Sequence, residues 1–529
     1  MAGLIITHTK IWTGNAARPY AEAVATDGDM IVAAGSNREV LQYRSAGTEV
    51  IKSPGALVIP GFIDSHIHLL QGGFALSGVQ LKDALTKEDF IRRIRDFAGQ
   101  MKPGEWMLEG YWDHENWGGE LPARQWIDEF TRDIPLFLHR SDGHMALANT
   151  AALRLSGLIH QVPDVEGGAI ERDAEGLPTG IFKDAAMDLI AEHIEPYSTE
   201  QQLTALENAS SYLAANGVTS AHHMGSIADI ELFRTAMETG RLKTRIYATV
   251  PMREYEAMLK TAEDFKALKY STWLKPGGVK LFADGSLGAH TAAFFKSYLD
   301  TPDESGLLMY TDREMFERIL TADQSGLQVI IHAIGDRANH QVLNLYERVM
   351  KTNPPRDRRF RIEHAQHLLS ADIPRFGELG IIASMQPWHM MDDGRWAEKV
   401  IGRERIANTH AWRSLIDSGA SLVFGSDWFV APPKPLEGIF AAVTRQTLDG
   451  KCPEGWVPNE KITVEEALKA YTIHAARASF DEQIKGSIEP GKLADFVVLD
   501  RDILNIPEEE ILNTQVVETV IGGVPYLSF

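Results

Sequence analysis

Residues 328–366 read QVIIHAIGDRANHQVLNLYERVMKTNPPRDRRFRIEHAQ. Two short apolar runs, Gln328-Val329-Ile330-Ile331-His332 and Phe360-Arg361-Ile362-Glu363-His364, flank an amphipathic segment from Asp336 to Thr352. Apolar runs joined by a helix read as parallel strands with a crossover connection. Each run ends in a histidine. In a closed ring of parallel strands the C-terminal ends share one mouth, so these two histidines become neighbours.

The same alternation extends in both directions. Candidate strands are Leu57-Val58-Ile59 (leading into Phe62 to His68), Val218 to Ala221, Arg245 to Val250 and Gly278 to Phe282, with Gly380 to Met385 and Ser421 to Gly425 beyond the two already quoted. Eight such strands are the count of a (β/α)₈ TIM barrel. About 150 residues separate the first strand from the second, several times what one crossover needs. Residues 80–205 are therefore expected to be a large insertion near the mouth. Brief strand-like runs with turn signals also occupy both chain ends, such as Leu4-Ile5-Ile6 and Phe496-Val497-Val498-Leu499. Residues 1–58 plus 484–529 are expected to form one small β-sandwich, with 59–483 as the barrel.

Composition bounds the function. The 529 residues carry 52 Lys+Arg against 73 Asp+Glu, a net charge of −21, with 44 % hydrophobic residues. That acidic balance argues against nucleic-acid and anionic-membrane partners and leaves a small-molecule substrate. The single cysteine, Cys452, excludes a disulfide framework and a cysteine-rich zinc module. Met1 to Thr9 lack the basic start and apolar run of a signal peptide, and no apolar stretch is long enough for a membrane span. A cytoplasmic protein is expected, with a homodimer as the default assembly.

Polar residues at strand ends carry the chemistry. In Phe62-Ile63-Asp64-Ser65-His66-Ile67-His68, period-2 alternation puts His66 and His68 on one side, a ready pair of metal ligands. His332, His364 and Asp427 end or follow later strands. Lys280, between Val279 and Leu281, is costly to bury as a cation. Two solutions are open from spacing alone. The amine pairs with Asp284, or CO₂ carbamylates it to a carboxylate able to bridge two divalent ions.

Pro60-Gly61-Phe62-Ile63-Asp64-Ser65-His66-Ile67-His68 resembles the first-strand motif of the amidohydrolase superfamily. Residues Val279 to Gly288, His332-Ala333-Ile334-Gly335-Asp336, Ile362-Glu363-His364-Ala365-Gln366 and Phe424-Gly425-Ser426-Asp427-Trp428 resemble its family 3 branch, which includes N-substituted formamide deformylases. The segment Pro490 to Leu499 is similar to that family's return into a small sandwich. The resemblance implies that His66, His68 and Asp427 hold the more buried of two zinc ions. It implies that carbamylated Lys280 bridges, and that His332 and His364 hold the second ion; related branches work with one. Water shared by two cations becomes hydroxide near neutral pH, with Asp427 as the base that takes its proton and returns it to a leaving amine. The implied reaction is hydrolysis of a C–N bond in an amide, formamide or related N-acyl compound. Deamination of a cyclic amidine on the same scaffold is the enzymatic alternative, and an inactive binding or assembly protein the non-enzymatic one.

Substrate contacts are expected from His144 and Arg140, in a stretch resembling a family motif that runs from His139 to Asn149, and from Trp112, Trp388 and Gln386. Two departures from the family pattern stand out: His223 where an aspartate is common, which would alter charge near the mouth, and Phe429 where proline is frequent.

Overall fold

The computed structural model describes residues 2–141, 143, 145–160, 162–165, 168–267 and 272–526. The described residues pack as two compact units, one of residues 1–69 and 210–529 and one of residues 70–209.

In the first unit eight strands form one parallel sheet in sequence order. They are β1 (Phe62–Ile67), β2 (Val218–Met224), β3 (Arg245–Pro251), β4 (Leu274–Phe282), β5 (Gln328–Ala333), β6 (Arg361–His364), β7 (Ile382–Met385) and β8 (Ser421–Phe424). A parallel bridge between Ile67 and Trp428 joins the last strand's exit to the first strand's end, so the ring closes. This is the expected (β/α)₈ barrel. Val, Ile and Leu fill the strands because both faces are covered, the inner by side chains and the outer by helices. The crossover helices start where their caps dictate. Thr311 with Glu314 closes a capping box on Asp312–Gln324, and Thr463 with Glu466 does so on Val464–Tyr471.

Leu57–Pro60 departs from the expectation that it opens the barrel. It pairs antiparallel with Phe496–Leu499 and parallel with Lys10–Trp12, in a six-stranded sheet built from both chain ends. A second, four-stranded sheet places Leu4–Thr7 between Ala23–Asp27 and Glu49–Lys52. Ile6, Val24, Val58, Phe496 and Val498 share one buried cluster between these sheets, which makes them a sandwich. Gly61 separates sandwich strand from barrel strand. A Cβ there would lie 2.2 Å from Thr219 Oγ1, so no larger residue fits at the junction.

The second unit follows β1 in the chain and contains the whole 80–205 segment. Its five-stranded sheet runs in the order Gly168–Arg172, Pro178–Asp184, Met145–Ala148, Leu136–His139, Met107–Leu108. Among the described residues no helix is long and apolar enough to cross a membrane.

Candidate metal centre

The C-terminal ends of β1, β5 and β6 and the loop after β8 bring four histidines and Asp427 together. His66 Nε2 lies 3.3 Å and His68 Nε2 3.2 Å from the same Asp427 oxygen, Oδ1. The His66 ring is 5.2 Å from that of His364, which is 4.5 Å from that of His332. Donor atoms of His66, His364 and Asp427 all fall within 4.8 Å of one another.

Backbone geometry explains why these side chains meet. Asp64 Oδ1 accepts the amides of His66 and Ser426, while Asp427 donates its amide to the His66 carbonyl and His68 donates to the Trp428 carbonyl. The first strand's end and the Asp427 loop are thereby fastened together. Gly425 permits the approach, since a Cβ there would sit 2.5 Å from the His66 nitrogen. His364 and Asp427 adopt φ of 70° and 59°, a region that non-glycine residues enter at a cost of order 1 kcal/mol. Strict alternation would turn His364 away from the side Glu363 faces. Both surround His66 because the chain leaves the extended conformation at His364.

Hydrogen bonds fix the tautomers of three rings. His66 Nδ1 donates to Glu363 Oε2 at 2.5 Å, which turns Nε2 toward Asp427. His364 Nδ1 donates to Gln386 Oε1 at 2.7 Å, which frees Nε2. His332 is reversed: Nε2 donates to the Gly285 carbonyl at 3.0 Å, so Nδ1 keeps the lone pair. Imidazoles that spend one N–H on an outer acceptor and turn the other nitrogen inward are the usual arrangement around a divalent cation. The donor set of neutral histidines and one carboxylate therefore fits zinc or a similar ion.

Charge at the site follows the same logic. Burial works against the Asp427 carboxylate, yet His66 and His68 hold it well below the usual carboxylate range. Burial and the Lys280 charge press the His66 imidazole down, but Asp427 and Glu363 outweigh them and leave it raised. Burial, with Lys280 beside it, pushes His332 down to about 3. Lys280 is 6 % exposed and burial lowers its ammonium to about 8. Among the described residues no carboxylate lies within ion-pairing distance of its Nζ, whose neighbour is the Phe282 ring at 5.1 Å. The pairing with Asp284 does not form. That carboxylate instead accepts the amides of Ala293, Ile334 and Gly335, all buried.

The expected substrate contacts fare differently. Trp112 is fully buried, gives its indole N–H to the Leu138 carbonyl and packs in the second unit's core. Gln386 is also buried, and its side chain is occupied in orienting His364. Arg140 pairs with Asp113 at 2.9 Å within the second unit. Trp388 is half-buried on the helix Pro387–Asp393. His144 lies outside the described residues. His223 is buried; its Nδ1 accepts the Leu69 amide and its Nε2 donates to Asp229.

Sequence reasoning missed Glu363, Arg361 and the Gly285 carbonyl, because a partner behind a ligand has no spacing rule of its own. It also missed Phe282. This ring is 48 % exposed and 5.1 Å from the His332 ring, an apolar face turned to solvent beside two candidate ligands. Its position two residues after Lys280, on the same side of β4, was the available signal.

Comparison with known proteins agrees with this geometry. Residues 49–526 match the model of the amidohydrolase family. The chain is 39 % identical over 540 residues to Protein LONG AFTER FAR-RED 3 of Arabidopsis thaliana, covering 99 % of this chain and 91 % of that protein. It is 29 % identical over 538 residues to the N-substituted formamide deformylase of Arthrobacter pascens, covering 99 % and 98 %. A crystal structure of an uncharacterized metal-dependent hydrolase from Pyrococcus furiosus superposes with a TM-score of 0.76 at 28 % identity, covering 95 % of this chain and all of that one. With its closed barrel, its ring of strand-end histidines and a match over nearly its full length, the chain belongs to the amidohydrolase family.

Proposed function

We propose that this protein is a metal-dependent hydrolase of a C–N bond in an amide, formamide or related N-acyl small molecule. The observation that carries the reading is the convergence of donor atoms of His66, His364 and Asp427, with Lys280 buried nearby and no carboxylate within ion-pairing distance among the described residues.

His66, His68 and Asp427 would hold one divalent cation, zinc by donor type. His332 through Nδ1 and His364 through Nε2 would hold a second. When bound, such ions supply Lewis acidity, polarising a carbonyl and bringing the pKa of water to about 7. Lys280 would supply the bridge: its ammonium loses one proton, the free amine adds to CO₂ to form a C–N bond, and a second proton leaves, so the charge changes from +1 to −1. That conversion removes the unpaired buried cation. Asp427 Oδ1, within 3.3 Å of both β1 imidazoles, takes a proton from the attacking water and returns it to the leaving amine. Phe282 offers an apolar surface to the substrate where it approaches His332.

Deamination of a cyclic amidine is less favoured by the buried Lys280, since a single-metal centre has no bridge for it to form. The test is removal of metal. Chelator treatment is expected to abolish turnover of N-formyl and N-acyl amines, and Zn²⁺ to restore it with two ions per chain by metal analysis. Full turnover by protein shown to be metal-free overturns the proposal.

A further inference from the structure

Behind His66 the barrel holds a second layer of polar groups. Glu363 is fully buried and has both carboxylate oxygens engaged: Oε2 with His66 Nδ1 at 2.5 Å and Oε1 with Arg361 Nε at 2.9 Å. Arg361 is also fully buried. Its Nη1 donates to His222 Nδ1 at 3.0 Å, and its Nη2 to the Ser65 carbonyl at 2.6 Å and Ser384 Oγ at 3.1 Å. The guanidinium is thus tied to β1, β2 and β7 as well as to its own strand. Taking this ion pair out of water costs more than packing apolar groups of the same volume, so stability alone is a weak account of it.

The three oriented histidines are not held alike. His364 has a neutral amide oxygen behind it and His332 a backbone carbonyl, with the Asp284 carboxylate farther off at 3.6 Å; of the three, His66 is the one hydrogen-bonded to a carboxylate. A carboxylate acceptor raises the basicity of the opposite ring nitrogen more than a neutral one does. We infer that Glu363, held by Arg361, is a positioning residue that fixes the His66 tautomer and tightens the grip of His66 on a divalent cation. The inference rests on the proposed metal-dependent reading and goes beyond it by ranking the ligands: the cation held by His66 is the last to be lost.

The experiment uses full-length protein stripped of metal, titrated with Zn²⁺ against a chromophoric chelator and with Co²⁺ followed by visible absorption. Glu363→Gln, which keeps the shape but removes the charge, is expected to weaken the tightest equivalent about 10- to 100-fold and to shift the Co²⁺ band. Glu363→Asp, which keeps the charge on a shorter stem, is expected to fall between Glu363→Gln and wild type. Wild-type affinity and an unchanged Co²⁺ band in Glu363→Gln overturn the inference while leaving the proposed function intact. If Glu363→Gln does not fold, wild-type affinity in Glu363→Asp has the same meaning. Wild-type protein that takes up no divalent metal overturns both.

Discussion

Lys280 shows how far a single residue can be read and where reading stops. Its place inside an apolar strand announces an unusual amine, because a buried cation needs an anion or a chemical change. Spacing could not choose between Asp284 and carbamylation. The structure shows Asp284 spent on three backbone amides, and burial pushes its carboxyl up to about 7. Removing the amine therefore leaves no unpaired aspartate behind. Lys280→Ala is expected to fold, to retain at most one zinc per chain and to lose most turnover. A short free carboxylate such as acetate should restore part of the second metal. Metal analysis with and without acetate checks this, and two tightly held ions in the unsupplemented variant would count against the bridge. Trp112 and Gln386 mark the opposite limit. Their residue types suit a pocket, but only packing decides that one fills a core and the other stands behind a ligand.

Strands and helices were more legible than the joints between them. Short, mostly apolar runs announced β4, β5, β6 and β8, whereas Leu57–Pro60 and Phe62–Ile67 read as one strand because both are apolar and only Gly61 divides them. The joint is tight enough to test. Gly61→Ala drives a methyl against Thr219 and is expected to destabilise the protein by roughly 1–3 kcal/mol in chemical denaturation. Thr219→Ser in the same chain, which removes the methyl 2.4 Å from the new Cβ, should recover part of the loss. The helix Pro387–Asp393 offers a pH test. Asp393 at its end accepts from Gln366 at 2.5 Å and His410 at 3.1 Å, and burial raises its carboxyl well above the usual range. A carboxyl raised on folding binds its proton more tightly in the native state, so its contribution is full below the unfolded pKa and is lost as pH rises through the folded one. Asp393→Asn removes that dependence. Between the two proteins, the difference in melting temperature should favour the variant increasingly as pH rises, and a constant difference would contradict the assignment.

At the scale of the molecule, strand count and the shared sandwich were readable because each end carries apolar strands that need a partner. The internal order of residues 70–209 was not, since a mixed five-stranded sheet has no period comparable to the barrel's. The net charge of −21 also acts at this scale. Like charges repel over a screening length that falls from about 30 Å at 0.01 M salt to about 8 Å at 0.15 M. Melting temperature should therefore rise over that range, as differential scanning fluorimetry can check.

The bridge between Ile67 and Trp428 fastens together parts of the polypeptide that emerge from the ribosome far apart in time. A chain still lacking Asp427 owns His66 and His68 but not the carboxylate oxygen that both of them face. Under the proposed reading, the cation site of the first strand is thus complete only once the loop after the last strand has been made.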